Sequence, residues 1–196
     1  NLINDIEYIW NNVISSKNRN MIRKSTKNKL SISLDYDTDN FRKIYNTTMN
    51  RVHADDKYYF FDNYYTLLRD INSININVLL KNNCISSSIF IYKGYYIHYH
   101  LSGSLEKYLS YAPNNFMLWE AIKIAKKNNF RYFHLGGGIT QSLDDSLFRF
   151  KKSFSEDILD FYIGTRIHNS KIYDRLIYDW KIINNKEQKF FLQYRM

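Results

Sequence analysis

The sequence predicts an α/β (α+β) protein built on a mixed central sheet with flanking helices. Three stretches predict it. Residues 74–101 read as three strands joined by tight turns. An apolar helix follows Pro113, the only proline. A strand-like run, Phe130 to Leu135, then stops at Gly136-Gly137-Gly138. Glycine lets a backbone take φ > 0 or press against a ligand, so a strand ending in glycines is a place to look for a site. About ten residues later Lys151 and Lys152 stand between Phe150 and Phe154, so that a buried ring on each side could hold a cation facing the mouth of the glycine turn. In an α/β protein, a glycine turn and a lysine at a strand end can hold a phosphate or a carbonyl oxygen. On spacing alone an αL turn beside a surface lysine pair fits as well, because neither a Walker motif nor a G-x-G-x-x-G pattern is present.

Composition narrows the class. A chain of 196 residues is enough for one well-buried domain, or one domain with an appendage, and 44% hydrophobic content with 18 Tyr and 13 Phe supports a packed core rather than disorder. The net charge of +9 favours an anionic partner: nucleic acid, a phosphorylated substrate or an acidic membrane surface. The single cysteine, Cys84, excludes an internal disulfide framework and fits a reducing compartment; it reads as structural. No apolar run approaches the roughly 18 residues that span a bilayer and no signal peptide is visible, so a cytoplasmic protein is expected. The chain begins at Asn1, inside what reads as a helix, and is expected to be a fragment.

In chain order, Ile6, Ile9, Trp10, Val13 and Ile14 share one helical face, predicting a helix over 4–15. From Lys17 to Lys29 come Arg19, Arg23, Lys24 and Lys27 with no acidic residue; Arg19, Arg23 and Lys27 would form a basic ridge on a helix, either a phosphate-binding surface or a solvated face. Residues 31–34 are a short strand, and Asp37 to Asp39 supply an N-cap. Phe41, Ile44, Tyr45, Thr48 and Val52 make a helical stripe ending near Arg51. A second helix from about Lys57 turns Phe60, Phe61, Tyr64, Leu67, Leu68 and Ile71 inward.

The three strands follow. Ile74, Ile76, Val78 and Leu80 alternate with Asn75 and Asn77; Ile85 to Tyr92 and Tyr95 to Leu101 flank the Lys93-Gly94 turn. In the last strand Tyr96, His98, His100 and Ser102 share one face, a polar wall, and Tyr95, Ile97, Tyr99 and Leu101 the other. His-x-His lacks a third ligand at motif spacing, so hydrogen-bonding histidines lining a cleft are expected rather than a metal site. After Pro113, Leu118, Trp119, Ala121, Ile122 and Ala125 are buried, Lys123, Lys126 and Lys127 favour the helix dipole, and Asn128-Asn129 closes the helix. Leu159 to Gly164 reads as a further strand and Tyr173 to Ile183 as a helix; the tail from Lys186 has no clear pattern.

The order strand, helix, helix, three antiparallel strands, helix, strand, short helix, strand resembles the GNAT acyltransferase fold. GNAT enzymes that use acetyl-CoA usually carry a Q/R-x-x-G-x-G/A loop opening the helix after the fourth strand; here that junction reads Tyr111-Ala-Pro-Asn-Asn-Phe-Met-Leu-Trp119, without glycine. Five stretches in order resemble the FemABX family: Arg19-Asn20-Met-Ile-Arg23-Lys24-Ser-Thr-Lys27-Asn28; Thr48-Met-Asn-Arg51; Tyr96-Ile-His-Tyr-His-Leu-Ser102-Gly103-Ser104; Leu118-Trp-Glu-Ala-Ile122 with Ala125-Lys126; and Leu135-Gly-Gly137 with Phe150-Lys151-Lys-Ser-Phe154. FemABX proteins have two GNAT-like domains, and this chain is similar to the second. The resemblance therefore implies a helical lead-in over residues 1–30, a GNAT-like acyltransferase domain over 31–196, and a preceding GNAT-like domain outside this sequence.

The resemblance implies an aminoacyltransferase that moves an amino acid from aminoacyl-tRNA to an amine of a nucleotide- or lipid-linked peptidoglycan precursor, in cell-wall synthesis, with aminoacyl-tRNA as co-substrate and no bound cofactor. Carried over, Lys151 is the cation at the reacting carbonyl or a contact to the tRNA acceptor end, with Phe150 orienting it. Arg51 holds a precursor phosphate or carboxylate; Tyr96, His98 and Ser102 line the cleft with Gly136 and Gly137; Arg23 and Lys24 contact phosphates. No dedicated general base has a sequence signature, so substrate-assisted proton transfer is expected, with His100 the runner-up base. Two alternatives belong to other classes: a GNAT-like N-acyltransferase using acyl-CoA on a surface sugar or amine, and a non-catalytic RNA-binding module.

Overall fold

The computed structural model describes residues 1–140, 142–187 and 191–192. The chain forms two compact units, Asn1–Ile158 and Leu159–Met196.

The first unit is a three-layer arrangement around a five-stranded sheet in the order β1-β2-β3-β4-β5, with β1 Ser31–Ser33, β2 Ser73–Leu80, β3 Asn83–Lys93, β4 Tyr96–Ser104 and β5 Tyr132–His134. The meander from β1 to β4 is antiparallel; β5 runs parallel to β4. Helices α2 (Ser16–Lys27) and α5 (Pro113–Lys127) are associated with one apolar cluster, which gathers Ile22, Ile76, Val78, Phe90, Ile97, Tyr99, Met117, Leu118 and Phe154. A second cluster, Phe41, Tyr45, Tyr65, Leu68 and Ile89, lies under α3 (Thr38–Arg51) and α4 (Asp62–Asp70).

Local chemistry explains the helix boundaries. The first expected helix is instead a short α1, Ile6–Tyr8, running into a π turn over Ile9–Val13 that closes with Ile14 N–H on the Ile9 carbonyl at 3.0 Å. Arg19 accounts for the end of that element: its Nη1 donates to the carbonyls of Trp10, Asn11 and Ile14. A residue expected on a phosphate-binding ridge is thus spent on satisfying carbonyls at a helix end. Ser15 caps α2, Asp37 caps α3 as expected, and Pro113 opens α5 after Ala112 in the left-handed region. Asn129, at φ +62, closes α5.

Helix α4 begins at Asp62, five residues later than the pattern places it. With Phe61 at the cap, the inward stripe is Tyr65 and Leu68, helped by Phe60 and Tyr64, whereas Phe61 is 86% exposed and Leu67 and Ile71 point outward. Asn75 and Asn77 are buried and satisfied: Asn75 Nδ2 donates to Ser87 Oγ and the Ser88 carbonyl, and Ser87 donates to Asn77 Oδ1.

A bulge interrupts β4. Its partners pass from Leu101, opposite Ile89, to Tyr99, opposite Phe90, leaving His100 unpaired. A bulge inverts the alternation beyond it. Tyr99 therefore packs in the first cluster while Leu101 packs in the second, and Ser102 bonds Ser88 at 2.7 Å and Tyr99. The polar wall expected from strict alternation breaks here: Ser102 lies on the face opposite His98 and His100.

The second unit, described by itself, carries α7, Ser170–Asn184, capped by Asn169. Residues 159–164, expected as a strand, are irregular. They have the alternation, but a strand exists only where a neighbouring backbone supplies its ladder. The tail from Lys186 falls mostly outside the described residues.

Gly103 sets how closely α3 approaches the sheet. A Cβ there would lie 2.8 Å from the Ile44 carbonyl oxygen and 2.8 Å from Tyr45 Cα, both backbone atoms that no rotamer change can move. Gly103→Ala should therefore destabilise the protein by about 1–3 kcal/mol, the usual cost of overpacking, seen as a lower midpoint in urea with an unchanged slope. An unaltered midpoint would mean that α3 shifts without cost.

Candidate active site in the gap between β4 and β5

Strands β4 and β5 pair over only three positions, Tyr96 with Tyr132, Ile97 with Phe133 and His98 with His134. Beyond His134 the chain leaves the ladder through Leu135 and Gly136, the latter at φ +75, a conformation side-chain-bearing residues rarely adopt. The result is a gap between β4 and the glycine turn.

Helix α6, Ser146–Lys152, delivers a cation into that gap. Asp145 caps it, accepting from Phe148 N–H at 2.8 Å, and also accepts from the amides of Ile139 and Thr140, which folds the intervening loop onto the helix start. These hydrogen bonds, first that from Phe148, hold the Asp145 carboxyl below its ordinary range. Phe154 is buried and Phe150 half-buried against the first cluster, their rings 5.5 Å apart, so the residue between them has one direction left. Lys151 Nζ donates to the Gly137 carbonyl at 2.8 Å and stands 5.6 Å from the centre of the Tyr99 ring. Burial draws the Lys151 amine below its ordinary value, partly offset by the charge of Asp145.

Three histidines flank the cation. His98 and His134 meet Nδ1 to Nδ1 at 2.7 Å, so one of the two carries the shared proton and the other accepts it. The rings of His98 and His100 are 6.0 Å apart, and His100 Nε2 is 2.6 Å from the Tyr64 hydroxyl. Burial, then the neighbouring His134 and His100, pushes His98 down to about 4, and burial lowers His100 as well. Burial also raises the Tyr64 hydroxyl. Among the described residues no group of three or more His, Cys, Asp or Glu side chains is placed to hold a metal ion.

The structure thus brings together Lys151, Gly136, Gly137 and His98, with His100 one ring further along and Phe150 as an anchor. Tyr96 is exposed at the other end of the β4–β5 pairing, stacked on Tyr132 at 5.0 Å. Ser102 faces the first cluster, for the reason given above. Arg51 lies at the end of α3, where its Nη1 donates to the Ser104 carbonyl at 2.9 Å beside Thr48, which accepts from Ser104 N–H. Arg23 and Lys24 lie exposed on α2, in a different layer. Sequence reasoning missed Tyr64 and Tyr99. Tyr64 read as ordinary core, and Tyr99 as part of the apolar face it shares with Ile97; only the fold brings Lys151 over its ring.

The FemAB family model matches residues 76–171, from β2 through α6 to the start of α7. The crystal structure of FemX superposes with a TM-score of 0.64 at 16% identity, over 78% of this chain and 56% of FemX. The matched segment, residues 76–171, is similar to the FemAB family. Its fold is GNAT-like: an aminoglycoside acetyltransferase from an uncultured soil metagenomic sample, in complex with sisomicin, has a TM-score of 0.52 at 14% identity, and a possible acetyltransferase from Clostridium difficile 630 has 0.53 at 14%, each over 71% of this chain and 99% of the other. The chain spans little more than half of the length of FemX. No curated protein matches it in sequence. None of its described helices is long and apolar enough to cross a membrane.

The depressed basicity of His98 sets a pH dependence. In the unfolded chain His98 would take up a proton near its ordinary value of 6.5, whereas in the folded state it resists until about 4. Stability is then full above pH 6.5 and is lost as pH falls toward 4. Thermal midpoints measured between pH 7 and 5, above the range of ordinary carboxylates, should decline for the wild type and decline less for His98→Gln. Equal slopes would place the proton uptake elsewhere.

Proposed function

We propose that this domain transfers an amino acid from aminoacyl-tRNA to an amine of a nucleotide- or lipid-linked peptidoglycan precursor. The observation that carries the reading is the half-buried Lys151 ammonium, fixed between the glycine turn and Tyr99 in the gap beside β4. In aminolysis of the aminoacyl ester the neutral amine attacks the carbonyl carbon, a C–N bond forms, and negative charge develops on the carbonyl oxygen. A preplaced cation in a water-poor gap stabilises that oxygen more in the transition state than in the ground state. The C–O bond then breaks, and a proton from the attacking nitrogen passes to the departing ribose oxygen. His98, neutral at pH 7, keeps a second positive charge away from Lys151 and can relay a proton with His134; His100, tied to Tyr64, orients the wall. Phe150 and Phe154 hold Lys151 in place. Arg51 is assigned to a precursor phosphate or carboxylate, through N–H groups other than the one on Ser104, and Gly136 and Gly137 to the backbone that meets the ester.

The start of α5 supports aminoacyl-tRNA over acyl-CoA as donor. Besides lacking the loop glycines, it is occupied by protein groups: Ser25 of α2 bonds the Tyr111 and Ala112 carbonyls, Asn114 accepts from Ser104, and Asn115 bonds Asn18. A pyrophosphate would have to displace them.

The test is transfer from charged tRNA to a nucleotide-linked muropeptide, followed by mass. Lys151→Ala should lower turnover by roughly 100-fold or more with little change in binding of either substrate. In parallel, charged tRNA or the precursor at about 100 times Kd should stabilise the fold by roughly 2.7 kcal/mol, and acetyl-CoA should not. Stabilisation by acetyl-CoA alone would instead make the domain a CoA-dependent acyltransferase, and salt-sensitive RNA binding with no acyl product from the wild type would make it a binding module.

A further inference from the structure

Outside the β4–β5 gap, a shallow groove of about 460 Å³ is lined by Trp10, Ile22, Arg23, Thr26, Lys27 and Trp119. Its walls are unusual for solvent-facing surface. The two indole rings sit 4.7 Å apart at 50°, both half-buried, and the Arg23 guanidinium lies 5.4 Å from the centre of the Trp10 ring. Arg23 and Lys27 are one helical turn apart on α2 and both are exposed. No acidic side chain lines the groove, and the carboxylate nearest along α5, Glu120, is engaged with Lys123 at 2.6 Å. Among the described residues the cations of this groove therefore have no carboxylate partner, in a stretch from Lys17 to Lys29 that contains no acidic residue.

We propose that this groove binds the single-stranded end of an RNA, with a nucleobase against Trp119 and the adjoining phosphates on Arg23 and Lys27. A half-buried indole with an open edge of groove beside paired cations is the chemistry that holds unpaired bases: any base offers a π face, and the charges follow the backbone. A protein partner of acidic character would use the cations but would leave the tryptophan pair without purpose. Position favours the same occupant. The start of α2 is bonded to the end of α6: Asn18 Nδ2 donates to the Ser153 carbonyl and to Ser153 Oγ at 2.7 Å, and Ser15 N–H to the same carbonyl. Ser153 is two residues from Lys151, and Arg23 is about 7.5 Å along α2 from Asn18. A strand end lying in the groove thus has its next nucleotides within reach of the catalytic gap. The inference deepens the aminoacyl-tRNA reading and rests on it for the class of partner.

The test uses the whole chain and a fluorescein-labelled single-stranded hexaribonucleotide, with affinity followed by anisotropy over a salt series. Combining Arg23→Gln with Lys27→Gln should flatten the slope of log K against log salt by about 1.4, near 0.7 for each lost phosphate contact. Trp119→Leu should weaken binding on the order of tenfold and leave the slope unchanged. Because Trp119 also packs on the core, circular dichroism checks that variant, and the exposed glutamine pair decides if it unfolds. UMP and UDP serve as competitors: a free nucleotide that displaces the hexamer at equal concentration would overturn the assignment to RNA. If the wild type binds the hexamer and both variants bind it equally well, the groove assignment falls while the transfer reading stands. If the wild type binds no RNA, both fall.

Discussion

The constraint on which the site depends is that β4 and β5 pair for three residues and then part. A parallel pair normally continues for as long as both backbones can alternate donors and acceptors. Here β5 leaves the ladder after His134, through the left-handed Gly136, and β4 bulges at His100 against its other neighbour, β3. The gap leaves main-chain groups of the glycine turn without ladder partners, and one of them, the Gly137 carbonyl, is met by Lys151. The cation is therefore part of the fold, which is why it is held without a carboxylate in direct contact among the described residues.

A buried polar seam ties the layers around that gap. Ser104 donates to Asn114 at the start of α5, Ser86 donates to the Gly103 carbonyl at 2.8 Å, and Thr48 and Arg51 from α3 reach the Ser104 backbone from the other face. Each group has a partner, so the seam avoids the penalty of an unsatisfied buried donor and favours one register of β4 against both helices. Gly103 lies within it, where only the absence of a side chain lets the α3 backbone come close. The end of β4 is thereby rigid, and the bulge is the place where its direction changes.

Much of this was legible in the sequence because periodicity and turn chemistry are local. The meander from Ser73 to Ser104, the Asp37 cap and the α5 stripe all follow from spacing, and the Phe150-Lys151-Phe154 arrangement was visible as two anchors around a cation. What was not legible was set by partners distant in the chain. Alternation predicted one wall from Tyr96 to Ser102, and a single extra residue moved Ser102 to the other face. Arg19 was indistinguishable from Arg23 as a ridge residue until the carbonyls of Trp10, Asn11 and Ile14 claimed it. Residues 159–164 show that alternation states only a readiness to pair.

The electrostatics of the gap follow from having two basic groups where one charge is tolerated. Lys151 and His98 both border Gly136: a Cβ at that position would be 3.1 Å from Lys151 Nζ and 3.8 Å from His98 Cε1. Both groups are partly withdrawn from water, and each proton raises the cost of the other. An amine begins near 10.4 and an imidazole near 6.5, so the lysine keeps its proton and the histidine yields. Burial contributes most to the fall of His98, and Lys151 adds to it. The outcome is a division of roles without any carboxylate to enforce it. One group keeps its charge, and its neighbour stays neutral, paired to His134 through a single proton that either ring can hold. Replacing the lysine by a histidine would lose this asymmetry, because two imidazoles of similar basicity in one partly dry gap would both be neutral at pH 7.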